Sequence, residues 1–418
     1  MLQPVKGSEP LSRAAGVMAL LVTVMPLVAS GKVDPSTGLI RVICIGESYY
    51  PETSLPLILA ADPRIRYQPV PANWYESTFA AVGRGRDDVL RFMRLYMPRT
   101  YEALLTSFDV ILLSDFEVDV ITNEQFVWME RSCREEGMGL GKYEMNYDPT
   151  YFSTFDLFVA SAVYPAFPAS LRRQIIPVPI EGIYAVNLPE TGRPHPIVDL
   201  PGMSQYKVLT SGTYGYEDRR EGATAIAKFK PRGEDAMIIW TYGKGRSLTC
   251  LPGHDKIDSA ALKEWPYAVD FWINQMWYLA GLDIPEDIEV LHRIREESMK
   301  YIAERSLALS VIEFAEKFGA STRSLYEQLS EVDETKKRAD RLYLEDRYSE
   351  SVEEMKNAFD GLRRVSTNAI EMKDKALLWI YIVEWFSVTG TCMVAGFLLW
   401  SLMIKRRLYR EVSVTRAG

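Results

Sequence analysis

The longest run of hydrophobic positions lies near the C-terminus, from Ala376 to Ile404. Its last part, Trp385–Ile404, holds 20 residues without a charged side chain. At about 1.5 Å per residue, such a helix is roughly 30 Å long, which matches the hydrocarbon core of a bilayer. The pattern therefore predicts one transmembrane helix over residues 376–404.

The two ends of the chain predict the orientation of this span. Residues 405–418 form a tail with a basic cluster that is typical of a cytoplasmic segment: Lys405, Arg406, Arg407 and Arg410. Residues 1–30 join a basic start to a short apolar stretch and a small-residue end, which predicts a signal peptide; an uncleaved N-terminal membrane segment is the alternative. Either interpretation places the main domain outside the cytoplasm. We therefore expect a single-pass protein of the plasma membrane.

Residues 38–283 show short β-rich runs that alternate with helical spacing. Apolar strands are predicted at 39–46 and 108–114, and a glycine-rich return at 135–141 leads into a third strand. Between them, Thr122 and Gln125 form a capping-box sequence at the start of a helix. Strand, helix and strand at this spacing make a βαβ unit, so we expect an α/β domain with a mainly parallel sheet.

The rest of this domain is less regular. Residues 86–105 have helical spacing, and residues 236–251 contain a glycine turn typical of a β-hairpin. Residues 142–190 are rich in aromatic residues and proline, and we interpret them as an insertion or a cap over the sheet edge. A closing helix is predicted at 268–280.

Residues 286–375 predict a helical stem. Glycine and proline become rare, and from Tyr348 to Ala376 apolar positions recur about every 3.5 residues, which is the coiled-coil repeat. The sequence leaves two arrangements open: an antiparallel bundle within one chain, or a stalk that dimerises. No helix-breaking residue separates the last stem helix from the span, so we expect the two to be continuous.

Composition and charge narrow the possible partners. The chain has 418 residues and a formal net charge of −8, and it has no basic patch outside the tail, so nucleic acid is not an expected partner. Its four cysteines have no metal-binding spacing, so we interpret them as small buried residues, although a disulfide remains an alternative. We predict no cofactor and no metal site. The expected partners are the lipid bilayer, a second copy or other subunits of a membrane complex through the stem and span, and a carbohydrate ligand.

Several short motifs carry a family resemblance. FDVILLSD at 108–115 and ITNEQFVWMERSCREEGMGLG at 121–141 resemble the class I glutamine amidotransferase-like superfamily. GRPHPIVD at 192–199, YGKGR at 242–246 and LPGHD at 251–255 are similar to its trehalose-utilisation-type branch. The resemblance implies a flavodoxin-like three-layer α/β/α domain. The amidotransferases place a nucleophilic cysteine after the third strand, but residues 139–146 contain none, so we expect no glutaminase activity.

Three residues are candidates for catalysis. His195 lies between two prolines, and His254 precedes Asp255 on a glycine turn, where a His-Asp pair could orient a proton carrier. If His195 is functional, we expect it in a pocket at the carboxyl edge of the sheet, where ligands bind in such folds. A loop or packing role for each residue is the structural alternative.

Four further residues are candidates for ligand binding. Glu47, Asp115 and Glu144 each follow a predicted strand, and their carboxylates on one rim could bind a cation or sugar hydroxyls. Tyr143 could belong to an aromatic platform for a sugar. Helix capping by the carboxylates and core packing of the tyrosine are the alternatives.

The span itself carries a pattern beyond plain hydrophobicity. Glu384, Ser387, Thr391 and Ala395 lie on one helical face, as in small-residue stripes that pack transmembrane helices. Three function classes follow from the sequence: a non-catalytic binding or scaffold protein, which we favour, a cell-surface enzyme acting on carbohydrate, and a subunit of a larger membrane complex.

Overall fold

A computed structural model describes residues 33, 37–48, 55–72, 85–143, 152–171, 182–205, 217–230, 233–252, 265–285 and 287–415. Its main sheet has eight strands in the order β2-β1-β3-β4-β10-β9-β8-β6. Their bounds are β1 Ile40–Gly46, β2 Ile65–Pro71, β3 Val110–Ser114, β4 Gly139–Lys142, β6 Ile183–Ala185, β8 Thr224–Phe229, β9 Asp235–Tyr242 and β10 Gly245–Cys250. A separate two-stranded sheet pairs β5 (Ala169–Leu171) with β7 (Glu217–Arg219).

The main sheet has a parallel half and an antiparallel half. Strands β2, β1, β3, β4 and β10 are mutually parallel, whereas β9, β8 and β6 extend the sheet by antiparallel pairing. The β9–β10 hairpin is the one predicted from its glycine turn. β2 holds two prolines, Pro69 and Pro71, and lies at the edge of the sheet, where missing backbone donors cost least.

Helices cover both faces of this sheet. Strand β1 shows why: Val42 and Cys44 point into one hydrophobic cluster, while Ile43 and Ile45 point into the other. The first cluster is closed by α1 (Leu55–Leu59) and α6 (Ala268–Leu279). The second is closed by α2 (Arg86–Tyr96), α3 (Tyr101–Ser107), α4 (Asn123–Glu136) and α5 (Phe152–Val159).

Local chemistry explains where these helices begin and end. At the start of α4, the Gln125 N–H donates to the Thr122 hydroxyl at 3.2 Å, and the Thr122 N–H donates to the Gln125 side chain at 2.9 Å, so the predicted capping box is present. The segment 86–105, which the spacing predicts to be helical, forms two helices. Met97 precedes Pro98 and has an extended backbone, because a residue before proline disfavours the helical conformation.

The stem is a three-helix bundle within one chain. It consists of α7 (Ile288–Lys317), α8 (Arg323–Leu344) and α9 (Tyr348–Thr415). Its core contains residues from all three helices, such as Ile312, Leu325 and Leu362. Between α7 and α8, Asp333 accepts hydrogen bonds from Tyr301 at 2.6 Å and from Arg305 at 2.8 Å. The chain therefore adopts the first of the two arrangements that the heptad spacing left open.

The base of the stem is part of the α/β domain. Leu291, Ile294 and Tyr343 belong to the same hydrophobic cluster as the sheet. Beside them Arg295 is fully buried and donates to Asp270 at 2.7 Å and to Asp62 at 3.1 Å. These bonds join the loop before β2, helix α6 and helix α7.

Further polar groups complete this buried network. Asp62 also accepts from the Tyr343 hydroxyl at 2.8 Å and from the Trp277 indole at 3.0 Å. The His292 imidazole lies 2.7 Å from Asp270 and stacks on Tyr267. A position in a helical stem would suggest a solvated helix face for His292. The structure instead packs it at the junction between stem and domain.

Helix α9 runs without a break from the bundle into the apolar segment, as the sequence predicts. Its last buried position is Ala369, and most of the large apolar side chains from Leu378 to Ile404 are exposed. Within the described chain it is the one helix long and apolar enough to cross a membrane. At about 1.5 Å per residue its full length is roughly 100 Å.

Candidate functional site

The carboxyl ends of the parallel strands form the candidate site. The strand order reverses between β1 and β3, and ligands of open α/β sheets bind at such a switch point. Glu47 follows β1, and Asp115 and Glu117 follow β3; all three are half-buried. The sequence placed Glu47 and Asp115 on this edge, which we call the acidic rim (Glu47, Asp115, Glu117 and Asp119).

Backbone hydrogen bonds fix the geometry of the acidic rim. The Glu47 N–H donates to the Ser114 carbonyl at 2.7 Å, and the Glu117 N–H donates to the Ala72 carbonyl at 2.9 Å. Asp115 has a φ of +34°, which is uncommon for a residue with a side chain. Strained backbone of this kind clusters at functional sites, so the outlier supports a ligand-binding role for the rim.

Glu117 is the residue that the sequence reasoning missed. Burial, with smaller contributions from the charges of Asp119 and Asp115, raises the pKa of Glu117 from 4.5 to about 7. Arg86 acts in the opposite direction but is held by Asp119 at 2.9 Å. Near neutral pH the rim therefore contains a carboxyl group that exchanges its proton readily.

The raised pKa of Glu117 predicts a pH-dependent stability. Because the folded chain holds this proton more tightly than the unfolded chain, the stabilisation is complete below pH 4.5 and is lost as the pH rises through about 7. The melting temperature of the wild type should therefore fall relative to Glu117→Gln between these pH values. Parallel pH profiles of the two proteins would contradict this assignment. The variant Asp115→Asn, which removes one of the charges that raise the pKa, should move the transition to lower pH.

Lys142 occupies the carboxyl end of β4. Its side chain is only 1% exposed and forms a buried ion pair with Glu217 of β7. Burial lowers the pKa of Lys142, although the charge of Glu217 opposes this shift. The pair ties the small β5–β7 sheet to the main sheet. The single sequence signal was a lysine at the end of a buried, glycine-rich strand.

Neither Tyr143 nor His195 forms an open ligand-binding position on the acidic rim. Tyr143 is fully buried and packs edge-on against Trp272, with ring centroids 5.2 Å apart, so it lies in the core and not on an open platform. His195 contacts Tyr278 of α6, and burial together with the charge of Arg246 lowers its pKa to about 4. Arg246 stands at the amino end of β10, opposite the rim. The expectation of His195 at the carboxyl edge is therefore not met.

The remaining candidates, Glu144, His254 and Asp255, lie outside the described residues. The structure therefore brings Glu47 and Asp115 together, adds Glu117, and separates them from His195. Among the residues it describes, no group of three histidine, cysteine or acidic side chains is arranged to hold a metal ion. The four cysteines, all within the described ranges, form no disulfide.

The polar positions of the span bond within their own helix. The Ser387 hydroxyl donates to the Val383 carbonyl at 2.8 Å, and the Thr391 hydroxyl donates to the Ser387 carbonyl at 2.7 Å. Both residues are exposed, as are Glu384 and Ala395. Any association along this stripe would thus depend on close packing of small side chains rather than on hydroxyl hydrogen bonds.

Comparisons with known proteins give weak similarities. No family model matches the chain, and neither does any curated protein. The cytoplasmic protein STM3548 from Salmonella typhimurium is similar with 16% identity and a TM-score of 0.43, over 57% of this chain and 99% of that one. The cytoplasmic protein STM1381 from Salmonella typhimurium LT2 has 15% identity and a TM-score of 0.37, with the same coverage. The exo-beta-1,4-mannosidase Op5Man5 from Opitutaceae bacterium strain TAV5 has 14% identity and a TM-score of 0.27, over 59% of this chain and 36% of that one. None of these similarities is strong enough to assign a family or an activity.

Proposed function

We propose that this chain is a membrane-anchored binding protein whose acidic rim takes a hydroxyl-rich ligand outside the cytoplasm. The observation that carries the proposal is the rim itself, at the switch point between β1 and β3. Ionised carboxylates only accept hydrogen bonds, whereas a protonated carboxyl group also donates one. Glu117 titrates near pH 7 and lies beside Asp115, so the rim offers both a hydrogen-bond donor and hydrogen-bond acceptors. This combination suits the hydroxyl groups of a sugar.

The proposed domain is of the flavodoxin-like, amidotransferase-like type without glutaminase activity. The order β2-β1-β3-β4-β10 of its parallel strands supports this, since it corresponds to the flavodoxin order 2-1-3-4-5. The sequence also supports an inactive domain, because the residues that follow β4 include no cysteine nucleophile.

A binding measurement tests the proposed ligand class. Full-length chain in detergent is titrated calorimetrically with mono- and disaccharides, trehalose included. We expect Asp115→Asn and Glu117→Gln to weaken binding of the saccharide that the wild type binds. Glu331→Gln, an exposed carboxylate of the stem, is the matched control and should bind normally. Binding that is absent, or that survives both rim substitutions, would exclude the proposal.

A carbohydrate-active enzyme is the second candidate. The pKa of Glu117 favours it, because a general acid or base works best when its pKa lies near the working pH. Product analysis after incubation of the bound saccharide separates the two functions. Hydrolysis that Glu117→Gln abolishes identifies the enzyme, and an unchanged saccharide identifies the binding protein.

The proposed orientation places the tail in the cytoplasm, because the basic residues 405–410 resist translocation. It is tested with single cysteines in a Cys392→Ser background. A cysteine at Glu331 should react with a membrane-impermeant maleimide in intact cells, and one at Ser413 only after permeabilisation. The reverse pattern would place the domain in the cytoplasm.

The proposal includes lateral association through the small-residue stripe of the span. Replacing both Thr391 and Ala395 with leucine should weaken a cross-linkable dimer or complex, since bulky side chains keep the helix backbones apart. The matched control is Thr389→Leu with Met393→Leu, on the opposite face of the helix. Equal cross-linking of the two double variants in native membranes would leave the span a plain anchor.

A further inference from the structure

The end of the stem bundle farthest from the α/β domain is the turn between α7 and α8. We call residues 314–323 the bundle tip. Phe314 and Phe318 lie here with 40% and 39% of their surfaces exposed, and their rings contact each other at 4.6 Å between centroids. They flank the end of the bundle core, where Ala315 and Leu325 are still buried. The two rings form a small exposed apolar patch at the end of the bundle.

The position of the tip along α9 follows from two side-chain contacts. Asn368 donates to Gln328 at 3.0 Å, so these residues lie at the same level of the bundle. Arg305 and Asp333 share another level, at 2.8 Å. Each residue adds about 1.5 Å along its helix. From these two levels, Phe318 therefore lies roughly 12 Å farther from the α/β domain than Asn368 does. That is the level of α9 near residue 376.

This level is where the uncharged segment of α9 begins. No charged residue follows Lys375 before Glu384, and Trp379 and Tyr381 are exposed there. Aromatic residues at this position mark the lipid–water interface. Residues 376–404 of the continuous helix α9 are roughly 43 Å long, about the thickness of a bilayer with its headgroup regions, so a bilayer crossed by this segment has its interface at the level of the tip.

The charges of the tip indicate the kind of lipid contact. Arg323 pairs with Glu327 at 3.0 Å, and Lys375 lies 3.9 Å from Glu371. The remaining charges nearby are of both signs, so the tip offers no basic patch for anionic headgroups. Its attraction to a bilayer would be apolar, through rings that reach the boundary of headgroups and acyl chains.

We propose that the bundle tip rests on the bilayer that α9 crosses and inserts Phe314 and Phe318 into its interface. This inference rests on the proposed membrane anchoring. Together with the span it gives the stem two points of attachment, which fixes the tilt of the α/β domain relative to the membrane. The fit is to zwitterionic lipid, with no requirement for anionic lipid.

The test uses the full chain with Cys392→Ser in phosphatidylcholine nanodiscs. Cys44, Cys133 and Cys250 are buried, and burial raises the pKa of Cys44 and Cys133 to about 12, so they react slowly with maleimides. A polarity-sensitive fluorophore is attached to a single cysteine at Phe318, or at Ser321 as a second tip position. Leu307, 54% exposed on the same helix but farther from the membrane, is the matched negative control. Phe397 in the middle of the span is the positive control.

We expect lipid with a nitroxide near the top of its acyl chain to lower the emission at 318 and 321 roughly twofold, and that at 307 hardly at all. Quenching at 397 with emission at both tip positions equal to that at 307 would overturn the tip contact and leave the anchoring intact. Equal quenching at 307 and 318 would mean that the stem lies flat, which also overturns it. No quenching at 397 would overturn both the anchoring and the inference.

Discussion

Replacing Arg295 with alanine is expected to lower the free energy of unfolding by about 3–5 kcal/mol, the cost of breaking a buried ion pair. The substitution leaves Asp62 and Asp270 buried without the guanidinium that bonds both. It also removes one link between the stem and the α/β domain, because Arg295 lies on α7 whereas Asp270 lies on α6. Urea unfolding of the detergent-solubilised chain measures the change, with the buried Trp277 beside Asp62 as a fluorescent reporter.

Two matched variants serve as controls for this prediction. Arg305→Ala removes a half-exposed pair with Asp333 and should cost about 1 kcal/mol or less. Arg295→Lys keeps the charge but not the fork that reaches two carboxylates, so its stability should lie between those of the wild type and Arg295→Ala. If Arg295→Ala and Arg305→Ala proved equally stable, the junction would not depend on the network.

The elements of the fold were predictable where the chemistry is local. The strands at Ile40–Gly46 and Val110–Ser114 are short apolar runs, and the Thr122 capping box needs only residues three apart. The continuity of α9 followed from the lack of a helix breaker between the stem and the span. The choice of an intrachain bundle did not follow, because a heptad pattern fits either partner equally well.

The acidic rim was half predictable for a related reason. The carboxyl ends of parallel strands share one edge, which placed Glu47 and Asp115 together. Glu117 was not predicted because the sequence does not reveal its backbone hydrogen bond to Ala72, a residue distant in the chain. His195 was misplaced because β6 pairs antiparallel to β8, so the chain leaves β6 toward the amino edge of the parallel strands.

The buried charges were the least predictable feature. Lys142 and Arg295 are charged residues at positions whose spacing alone marks them as core, and each needs a partner far away in the chain. A buried charge is tolerable only with such a partner, and a single sequence does not reveal pairings of this kind. The same holds for His292, which is packed against Asp270 because the stem begins inside the α/β domain.

Replacing Gly46 with alanine is the other substitution with a large expected effect, about 3 kcal/mol or more in the free energy of unfolding. A Cβ atom at Gly46 would lie 1.8 Å from the Ser114 carbonyl oxygen, and the φ of +119° disfavours any side chain. The same carbonyl accepts the hydrogen bond from Glu47, so the strands at the switch point would have to separate. The substitution should therefore weaken saccharide binding at the rim and also lower the stability of the fold.

The control for Gly46→Ala is Gly192→Ala, at a position that has a φ of +65° and no atom within 4 Å of the added Cβ. It isolates the backbone cost and should lower the free energy of unfolding by about 1–2 kcal/mol. The difference between the two variants then measures the close approach of β1 and β3, on which the geometry of the rim depends. Equal destabilisation by both substitutions in urea unfolding would show that β1 and β3 can separate at little cost, and the rim would then not be a preformed site.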